Sequence, residues 1–404
     1  MNLIKRPDKI VFVYNPVEFV FETRTTFLSC EFRISIGGKL FILTAQPGGD
    51  NRIRFEISDI LQSFLSCQFT DSTLISFPVS DVSIPVVVEY WDYDEIEGMS
   101  DIDRYHFTAL HGGVSKSMLR YLLSVNQTFF DYRLGNYERQ FLFTTRTNSR
   151  LIKVKETEIT PLYYIEPHDT ITVINEYGRT ITIIPDDSEE EEIVRIDALN
   201  IKAIRKFFED TYNEVSSYLS ILISEAHVLS IAILPGSKTP DRLILRFRNS
   251  LGCYEAIEVT GKKEIVPEFS EEELYNVYDD STASFVENRF RRIYQDKIEA
   301  SAGWKTPEEL NFIRDLLSSD DIQLIGIGED TIKVHVLAED FSMSINPVEP
   351  QSVDLTIRVS EQETLVTPSP YENIEVPSFG EWVLRTGSWN MSGMWLDNGI
   401  WKFN

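Results

Sequence analysis

The sequence predicts a mainly β protein, built from several antiparallel β-sandwich-like domains with a few short helices and a Trp/Gly-rich C-terminal β tip. Three observations carry this prediction. Apolar and polar residues alternate in every block, turn signals separate the alternating runs, and only one segment has a strongly capped helix pattern. With 42% hydrophobic residues, 25 Phe and 17 Tyr, the 404-residue chain has the composition of a globular protein, which excludes global disorder.

The first block, residues 1–98, contains the clearest hairpin pattern of the chain. EFRISIGGKLFILTA has two alternating runs around Gly37-Gly38, which predicts a two-residue hairpin turn. RIRFEISDILQSFL predicts a strand followed by a short helix with Ser58 as its N-cap, and VSIPVVVEYWDYD predicts a further strand. We therefore expect an N-terminal β domain over 1–98.

The second block, residues 99–192, is predicted to be another β domain. ITVINEYGRTITIIP predicts a hairpin that turns at Tyr177-Gly178. DDSEEEE, over 186–192, has six acidic residues in seven positions and is typical of a solvated linker. The acidic run therefore marks the predicted end of this domain.

Two more domains and a tail are predicted after the acidic run. Residues 193–265 have a short amphipathic helix pattern and two strands around Asn-Ser-Leu-Gly, which predicts a β domain with one helix. Residues 266–376 are predicted to be an α+β domain. Its helix has Thr306 as N-cap, Pro307 at the first position and Glu309 closing a capping box, and strands follow it. A Pro-rich stretch then separates a tail over 377–404.

Charge and cysteine content exclude several classes of protein. The chain has 38 Lys+Arg against 64 Asp+Glu, a formal charge of -26, which would repel a phosphate backbone. No apolar run approaches a membrane span or a signal-peptide core, so we expect synthesis and folding in a cytoplasm without membrane insertion. Cys30, Cys67 and Cys253 have no paired or metal-binding spacing and are interpreted as small buried apolar residues.

An acidic stretch over 89–103 is a candidate calcium or catalytic site. It holds seven carboxylates, but counting from Asp92 places Ile96 fifth and Glu97 sixth, where a calcium loop needs an oxygen ligand and a glycine. A solvated acidic loop is the preferred interpretation. A glycosidase acid–base pair within this stretch stays open, because sequence does not show distances across a cleft.

Motifs for other catalytic and metal sites are incomplete. His111-Gly112-Gly113 resembles an oxyanion stretch of some esterases, but the sequence has no Gly-x-Ser-x-Gly, so a Gly-Gly turn is the preferred interpretation. The five histidines lack zinc-site spacing. We therefore predict that the protein is not an enzyme and needs no metal or cofactor.

The C-terminus carries four copies of Gly-x-Trp, in GEWVLRTGSWNMSGMWLDNGIWKFN. Steps of six residues place Trp389, Trp395 and Trp401 on one face of a strand, whereas on a helix they would spread around the axis. Packing on the same chain, contact with other subunits and binding of a glycan all remain open roles. The predicted interaction residues are Trp382, Trp389, Trp395, Trp401, Gly387, Gly393 and Gly399.

Several segments together resemble tail structural proteins of tailed phages and prophages of gut anaerobes. They are RIRFEISDILQSFL, LRFRNSLGCYEAIEVTG, TPEELNFIRDLLSSDDIQLI and the Trp/Gly-rich finish. The resemblance covers most of the chain as a shared order of β modules, and it includes no catalytic or ligand-binding motif. It implies a virion protein of the distal tail, baseplate or fibre attachment, arranged as a symmetric ring or trimer.

The sequence therefore predicts a non-enzymatic structural component of a phage tail that assembles through protein–protein contacts. Its expected partners are copies of itself and other virion tail proteins, with a host surface receptor or glycan as a further candidate. We expect it in the virion tail after synthesis in the host cytoplasm. The alternative is a carbohydrate- or receptor-binding module that uses the C-terminal tryptophans as platforms.

Overall fold

The computed structural model describes most of the chain before residue 366. The described residues are 2–23, 27–66, 68–79, 82–95, 98–129, 144–147, 150–165, 170–184, 195–236, 242–260, 263–325, 331–338, 341–342 and 351–365. They form mainly β structure with several antiparallel sheets and four short α-helices, which confirms the predicted mainly-β class.

The secondary-structure elements are numbered here in chain order. The first are β1 (Asn2–Lys5), β2 (Ile10–Phe12), β3 (Glu18–Glu22), β4 (Phe27–Ile36), β5 (Lys39–Ala45), β6 (Arg52–Glu56), α1 (Ser58–Gln62), β7 (Ser76–Pro78), β8 (Ser83–Asp94), β9 (Gly98–Met99), β10 (Asp103–Leu110) and α2 (Lys116–Val125). Next come β11 (Leu151–Lys155), a 3-10 turn (Glu156–Glu158), β12 (Leu162–Ile165), β13 (Ile171–Asn175), β14 (Thr180–Ile183), β15 (Ile196–Leu199), α3 (Ile201–Tyr212), β16 (Tyr218–Ile223), β17 (Ala226–Leu234), β18 (Leu243–Arg248) and β19 (Tyr254–Val259). The last are β20 (Lys263–Phe269), β21 (Leu274–Asp279), β22 (Ser284–Arg289), β23 (Tyr294–Lys305), α4 (Pro307–Ser318), β24 (Ile322–Ile325), β25 (Thr331–Leu337) and β26 (Gln351–Val359).

Two sheets enclose the N-terminal core. One has the order β1-β3-β6, and the other has the order β2-β10-β8-β4-β5 with the short β9 on β8. Alternate side chains of both sheets, among them Phe19, Phe21, Phe32 and Phe55, form one buried aromatic cluster. The period-two alternation seen in the sequence therefore corresponds to one buried face on each sheet.

Two sheets and α3 form the central part. The three-stranded sheet has the order β12-β15-β7, and the five-stranded sheet has the order β11-β17-β16-β13-β14. Helix α3 buries Ile201, Ile204 and Phe208 against this core, and Asn200 caps it by accepting a hydrogen bond from the Ala203 N–H. The helical spacing of Ile201, Ile204, Phe207 and Phe208 predicts this helix, and three of these four side chains are buried while Phe207 is partly buried.

A seven-stranded sheet and α4 form the C-terminal core. The strand order is β19-β18-β24-β25-β26-β23-β20, and α4 buries Leu310, Ile313 and Leu316 against it. The α4 start has the predicted capping box, since the Glu309 N–H donates to the Thr306 side chain and the Glu309 carboxylate accepts from the Thr306 N–H. The prediction of this helix is confirmed.

Three predicted turns are also confirmed. Gly37 and Gly38 have φ of 53° and 75° between β4 and β5, as a type I′ hairpin turn requires. The β13–β14 hairpin turns at Gly178, with φ of 77°. The Asn-Ser-Leu-Gly turn joins β18 to β19, with the Gly252 N–H donating to the Asn249 carbonyl.

Two local predictions are wrong. Ser58 is not the N-cap of α1, because Ile57 occupies that position and no side chain caps the helix. The Ser58 hydroxyl instead accepts from the Val17 N–H and donates to the Asn15 carbonyl, so tertiary contacts use the group that capping would need. Gly112-Gly113 does not form the predicted Gly-Gly turn but runs against the turn of residues 249–252.

Strand pairing extends across the predicted domain boundaries. β10 pairs with β8 across 98/99, β15 pairs with β12 across 192/193, and β18 and β24 pair across 265/266. Two pairs, β2–β10 and β11–β17, are parallel, which needs partners distant in sequence. The division of the chain into five predicted domains stays a prediction, because composition along the chain does not show which distant strands pair.

The described fold divides into two compact units. One contains Met1–Glu268 and Gln295–Glu361, and the other contains Phe269–Tyr294 with the chain from Gln362 onward. Both units are therefore assembled from segments that are separated in sequence. The acidic run at 186–192 lies outside the described residues. Cys30 and Cys253 are buried, as predicted, while Cys67 is also outside the described residues.

Candidate interaction surface

The predicted interaction residues all lie outside the described part of the chain. Trp382, Trp389, Trp395, Trp401, Gly387, Gly393 and Gly399 fall within residues 366–404. Their role therefore stays a prediction. The described residues nevertheless include one surface and one cleft that were not predicted from the sequence.

The surface is the hairpin arm, defined as residues Phe269–Tyr294 with strands β21 and β22. None of its residues is buried. Nine of the thirty large exposed hydrophobic residues in the described chain lie within this short segment. They are Phe269, Leu274, Tyr275, Val277, Tyr278, Phe285, Val286, Phe290 and Ile293. Such a concentration of exposed apolar side chains is typical of an interaction surface.

Both faces of the hairpin arm carry aromatic pairs. Tyr275 and Phe290 have ring centroids 4.4 Å apart, and the rings of Tyr278 and Phe285 are 5.2 Å apart on the opposite face. Cross-strand pairing of Val277 with Val286 lies beside the first pair. Neither apolar face is covered by a second layer among the described residues, since Phe285 is 71% exposed and Phe290 is 53% exposed.

The turn and base of the hairpin arm are well defined by polar contacts. Asp279 accepts hydrogen bonds from the Ser281 N–H at 2.9 Å and from the Thr282 hydroxyl at 3.1 Å, while Ala283 has φ of 47°. At the base, Arg292 donates to the Ser270 carbonyl at 2.7 Å. A two-stranded ribbon with these contacts is still only marginally stable on its own, so further apolar contacts are needed.

The sequence contains a signal for this hairpin in addition to the elements predicted above. LYNVYDDSTASFVENR has apolar residues on both sides of the polar turn Asp-Asp-Ser-Thr. That pattern is typical of a hairpin. Apolar residues also occupy successive positions, such as Leu274 and Tyr275, and successive side chains of a strand point to opposite faces. This pattern indicates a strand pair with two apolar faces.

The cleft lies where the His111–Gly113 segment meets the turn of residues 249–252. Its volume is about 430 Å³. Gly112 has φ of 105°, and a Cβ there would lie 2.5 Å from the Leu251 carbonyl carbon. The Gly113 N–H donates to the Ser250 carbonyl at 2.8 Å. Close backbone contact therefore explains Gly112 better than an oxyanion site, and at Gly113 a Cβ would lie 2.9 Å from the Tyr14 Cβ.

The His111 ring is held in a neutral state. It is 3% exposed, and its Nε2 lies 3.2 Å from the Tyr14 hydroxyl. Burial, helped by the nearby Arg248 guanidinium, lowers the pKa of His111 to about 4, while Asp320 acts in the opposite direction. No serine or cysteine among the described residues hydrogen-bonds to this ring. The described contacts of His111 thus include no nucleophile.

We expect His111 to make stability depend on pH between about 6.5 and 4. The folded state holds the ring neutral while the unfolded chain protonates near pH 6.5, so stability from this group is full above 6.5 and is lost as the pH falls to about 4. The loss should reach about 3 kcal/mol as an upper value. Chemical denaturation at pH 7 and pH 4.5 measures it.

The matched variants are His111→Phe, which removes the titrating group, and Tyr14→Phe, which keeps it. His111→Phe should lose less free energy of unfolding than the wild type between the two pH values, whereas Tyr14→Phe should lose as much as the wild type. Equal losses in all three proteins would contradict the prediction.

Buried carboxylates form a polar network beside the cleft. Glu255 accepts hydrogen bonds from the Thr144 hydroxyl at 2.6 Å and the Asn249 amide at 2.8 Å, and burial raises the pKa of its carboxyl. Asp315 on α4 accepts from the Thr145 hydroxyl and the Ser250 N–H. These hydrogen bonds join segment 144–147, the 249–252 turn and α4 to one another.

The acidic stretch at 89–103 belongs to the β8–β9–β10 region. Glu89 pairs with Arg104, and the Asp92 N–H donates to the Ser100 hydroxyl at 3.0 Å. Within the described ranges, no group of three or more His, Cys, Asp or Glu side chains is placed to hold a metal ion. No helix of the described chain is long and apolar enough to cross a membrane.

Comparison with known proteins does not assign the chain to a family. No protein-family model matches it, and no curated protein matches it. One similar solved structure is described as "Structural insight into host cell surface retention of a 1.5-MDa bacterial ice-binding adhesin". It covers 72% of this chain and 88% of that chain at 6% identity with a TM-score of 0.14. A TM-score this low carries no argument about fold or function.

Proposed function

We propose that the protein is a non-enzymatic structural component of a phage tail, at the distal tail, baseplate or fibre attachment. It acts through contacts with copies of itself and with other virion tail proteins. The phage assignment rests on the sequence resemblance alone. The mode of action, assembly through protein contacts, has support from the structure as well.

The hairpin arm is the observation that carries this proposal. Among the described residues, β21 and β22 pair only with each other and both apolar faces of the arm are exposed. A two-stranded ribbon does not bury enough surface to be stable alone, so these faces are expected to need further apolar contacts. Aromatic side chains are the residues most enriched at the centres of protein interfaces. A partner protein that packs on Phe285 or Phe290 would bury one apolar face of the hairpin arm.

The Gly-x-Trp tail adds a second contact surface to the proposal. Burying Trp389, Trp395 and Trp401 at about 25 cal/mol per Å² over roughly 150 to 250 Å² each is worth on the order of 10 kcal/mol as an upper value. A term of this size is large enough to hold subunits together. The tail and the hairpin arm are therefore proposed to act in the same assembly.

Deleting residues 378–404 tests the proposal. We expect the truncated protein to keep its melting temperature and lose self-association, or attachment to a neighbouring virion protein, because the Pro-rich stretch separates the tail from the body. Melting temperature, mass in solution and binding to host cells should be measured together. Intact oligomers after the deletion would contradict an assembly role.

Two other outcomes would each favour a different role for the tail. Loss of thermal stability without a selective change in assembly indicates packing on the same chain. Loss of glycan or cell binding alone indicates the carbohydrate- or receptor-binding alternative. Phe285→Ser tests the hairpin arm in the same assays and should weaken association about tenfold. Leu123→Ser, 79% exposed on α2, is the matched control and should leave association unchanged.

A further inference from the structure

We propose that the open edge of β5 pairs with β5 of a second copy of this chain, in an antiparallel arrangement centred on Ile42. The β2-β10-β8-β4-β5 sheets of the two copies would then form one continuous sheet. Self-association itself belongs to the proposed function, on which this pairing rests. The pairing adds the strand at which two copies meet, and that strand lies in the compact unit formed by Met1–Glu268 and Gln295–Glu361.

β5 is an edge strand without the usual protection against strand addition. Among the described residues it pairs only with β4, in a register that is unbroken along its whole length. Residues 40–45 contain no charged side chain and no proline. Leu40 is 56% exposed and Ile42 is 53% exposed. A long, flat and apolar edge of this kind readily accepts another strand.

The other described edge strands of this compact unit are short or contain charged residues. β2, β7, β9, β12 and β14 have two to four residues each, and β1 has four residues with a shift in register. β6, β11, β19 and β20 have charged residues inside the strand, among them Arg54, Lys153, Glu255 and Glu268. Among these described edges, β5 alone combines length with an uncharged interior.

The turn of the β4–β5 hairpin determines which backbone groups of β5 face the open edge. In a two-residue hairpin the residues on either side of the turn, here Ile36 and Lys39, exchange both hydrogen bonds. By alternation, the odd-numbered residues of β5 direct their N–H and carbonyl groups to β4. Leu40, Ile42 and Thr44 direct theirs to the open edge, where no described residue hydrogen-bonds to them.

The three open positions are symmetric about Ile42, so two copies of β5 fit each other across a two-fold axis. Antiparallel pairing places Ile42 opposite its own copy and Leu40 opposite Thr44 of the second copy, with about six backbone hydrogen bonds. The exposed Leu40 and Ile42 side chains of both copies then lie on one face and contact each other. Because the same edge is used in both copies, the contact closes as a dimer and does not grow into a fibre.

The charge of the chain also favours this edge for contact with a second copy. At a formal charge of -26, two copies repel each other wherever acidic surfaces meet. Lys39 is the only charged residue of β5, and two-fold pairing keeps its two copies at opposite ends of the strand pair. On the adjacent strand β4, Glu31 forms an ion pair with Arg33 at 3.0 Å. The two β5 edges therefore meet without opposed carboxylates.

One strand pair is smaller than a standard protein interface. The β5 edges are therefore expected to pair within the oligomer that the tail and the hairpin arm hold together. Those contacts raise the local concentration of one β5 edge near the other, so a weak contact is enough to join them.

Hydrogen exchange at single amides of the full-length protein tests the pairing. At concentrations where the protein self-associates, the amides of Leu40, Ile42 and Thr44 should be protected. Dilution to the monomer should raise their exchange rates about tenfold or more. The amides of Phe41 and Leu43 point to β4 and should be equally protected at both concentrations, so they are the internal control.

Charge exchange at Ile42 tests the symmetry of the pairing. Ile42→Lys and Ile42→Glu each place like charges opposite each other at the two-fold axis, and each should abolish the concentration-dependent protection of Leu40 and Thr44. An equimolar mixture of the two variants should restore it, because opposite charges then face each other. Leu123→Lys, at a position 79% exposed on α2, is the matched control and should leave the protection unchanged.

Free exchange of Leu40, Ile42 and Thr44 in a protein that self-associates would overturn the pairing and leave the proposed function intact. A protein whose mass in solution stays that of a monomer at every concentration would overturn both. If the mixture of Ile42 variants does not restore protection, the two-fold register is wrong. The Phe41 and Leu43 amides show whether the hairpin stays folded in each variant, and the dilution experiment on the wild type needs no variant.

Discussion

Gly112→Ala should lower the free energy of unfolding by about 3 kcal/mol or more. The Cβ of alanine would lie 2.5 Å from the Leu251 carbonyl carbon and 2.7 Å from its oxygen, and the residue has φ of 105°. The obstacle is backbone on both sides, so no side-chain rotation relieves it. Gly252, with φ of 90°, approaches the His111 carbonyl equally closely from the other side of the crossing.

The matched control is Gly178→Ala in the β13–β14 turn. Gly178 also has a positive φ, of 77°, but a Cβ there would meet nothing within 4 Å. Its cost should be only the backbone term of about 1 to 2 kcal/mol. Chemical denaturation followed by circular dichroism measures both variants. If Gly112→Ala costs no more than Gly178→Ala, the close backbone crossing does not restrict residue 112 to glycine.

Glu158→Ala should cost about 3 to 5 kcal/mol of unfolding free energy. The Glu158 carboxylate is buried and accepts from the Arg146 guanidinium at 2.9 Å, the Glu258 N–H at 2.8 Å and the Lys155 N–H at 3.2 Å. Alanine would leave a buried cation without its carboxylate and two backbone donors without acceptors, each of which carries a desolvation cost. The same denaturation experiment measures the loss.

Glu272→Ala provides the comparison on the surface. Glu272 pairs with Arg289 at 3.5 Å, and both side chains are exposed. Water and salt screen such a pair, so its removal should change stability by no more than about 0.5 kcal/mol. A similar cost for the two substitutions would show that burial of the Glu158 pair does not determine its contribution.

Sequence patterns predicted those elements that depend on neighbouring residues. The capping box at Thr306 and Glu309 and the glycine pair at Gly37-Gly38 both act within a few residues, and both occur in the structure as predicted. Ser58 shows the limit of the same reasoning. The sequence predicts its hydroxyl as an N-cap, but in the structure this hydroxyl hydrogen-bonds to the backbone of Asn15 and Val17 instead.

The candidate interaction surface was predictable only in part. The β21–β22 pattern is present in LYNVYDDSTASFVENR, and it indicates a hairpin. Both faces of the hairpin are exposed among the described residues. This exposure depends on which other strands pack against the hairpin, and alternation along the sequence does not contain that information. The buried acids Glu255 and Glu258 had no sequence signal at all, because acidic residues in an alternating strand are normally assigned to its solvent face.

The sequence by itself therefore determined the mainly β class, the amphipathic helix α3, the capped start of α4 and the turns at residues 37–38, 178 and 249–252. Only the tertiary structure decided that β7, β12 and β15 join in one sheet, that β2 pairs in parallel with β10, and that Gly112 crosses Gly252. The physical reason is how far apart in the sequence the interacting residues lie. Alternation, capping and turn conformation depend on interactions between residues a few positions apart, whereas sheet order and backbone crossings depend on which distant segments bury each other's surface.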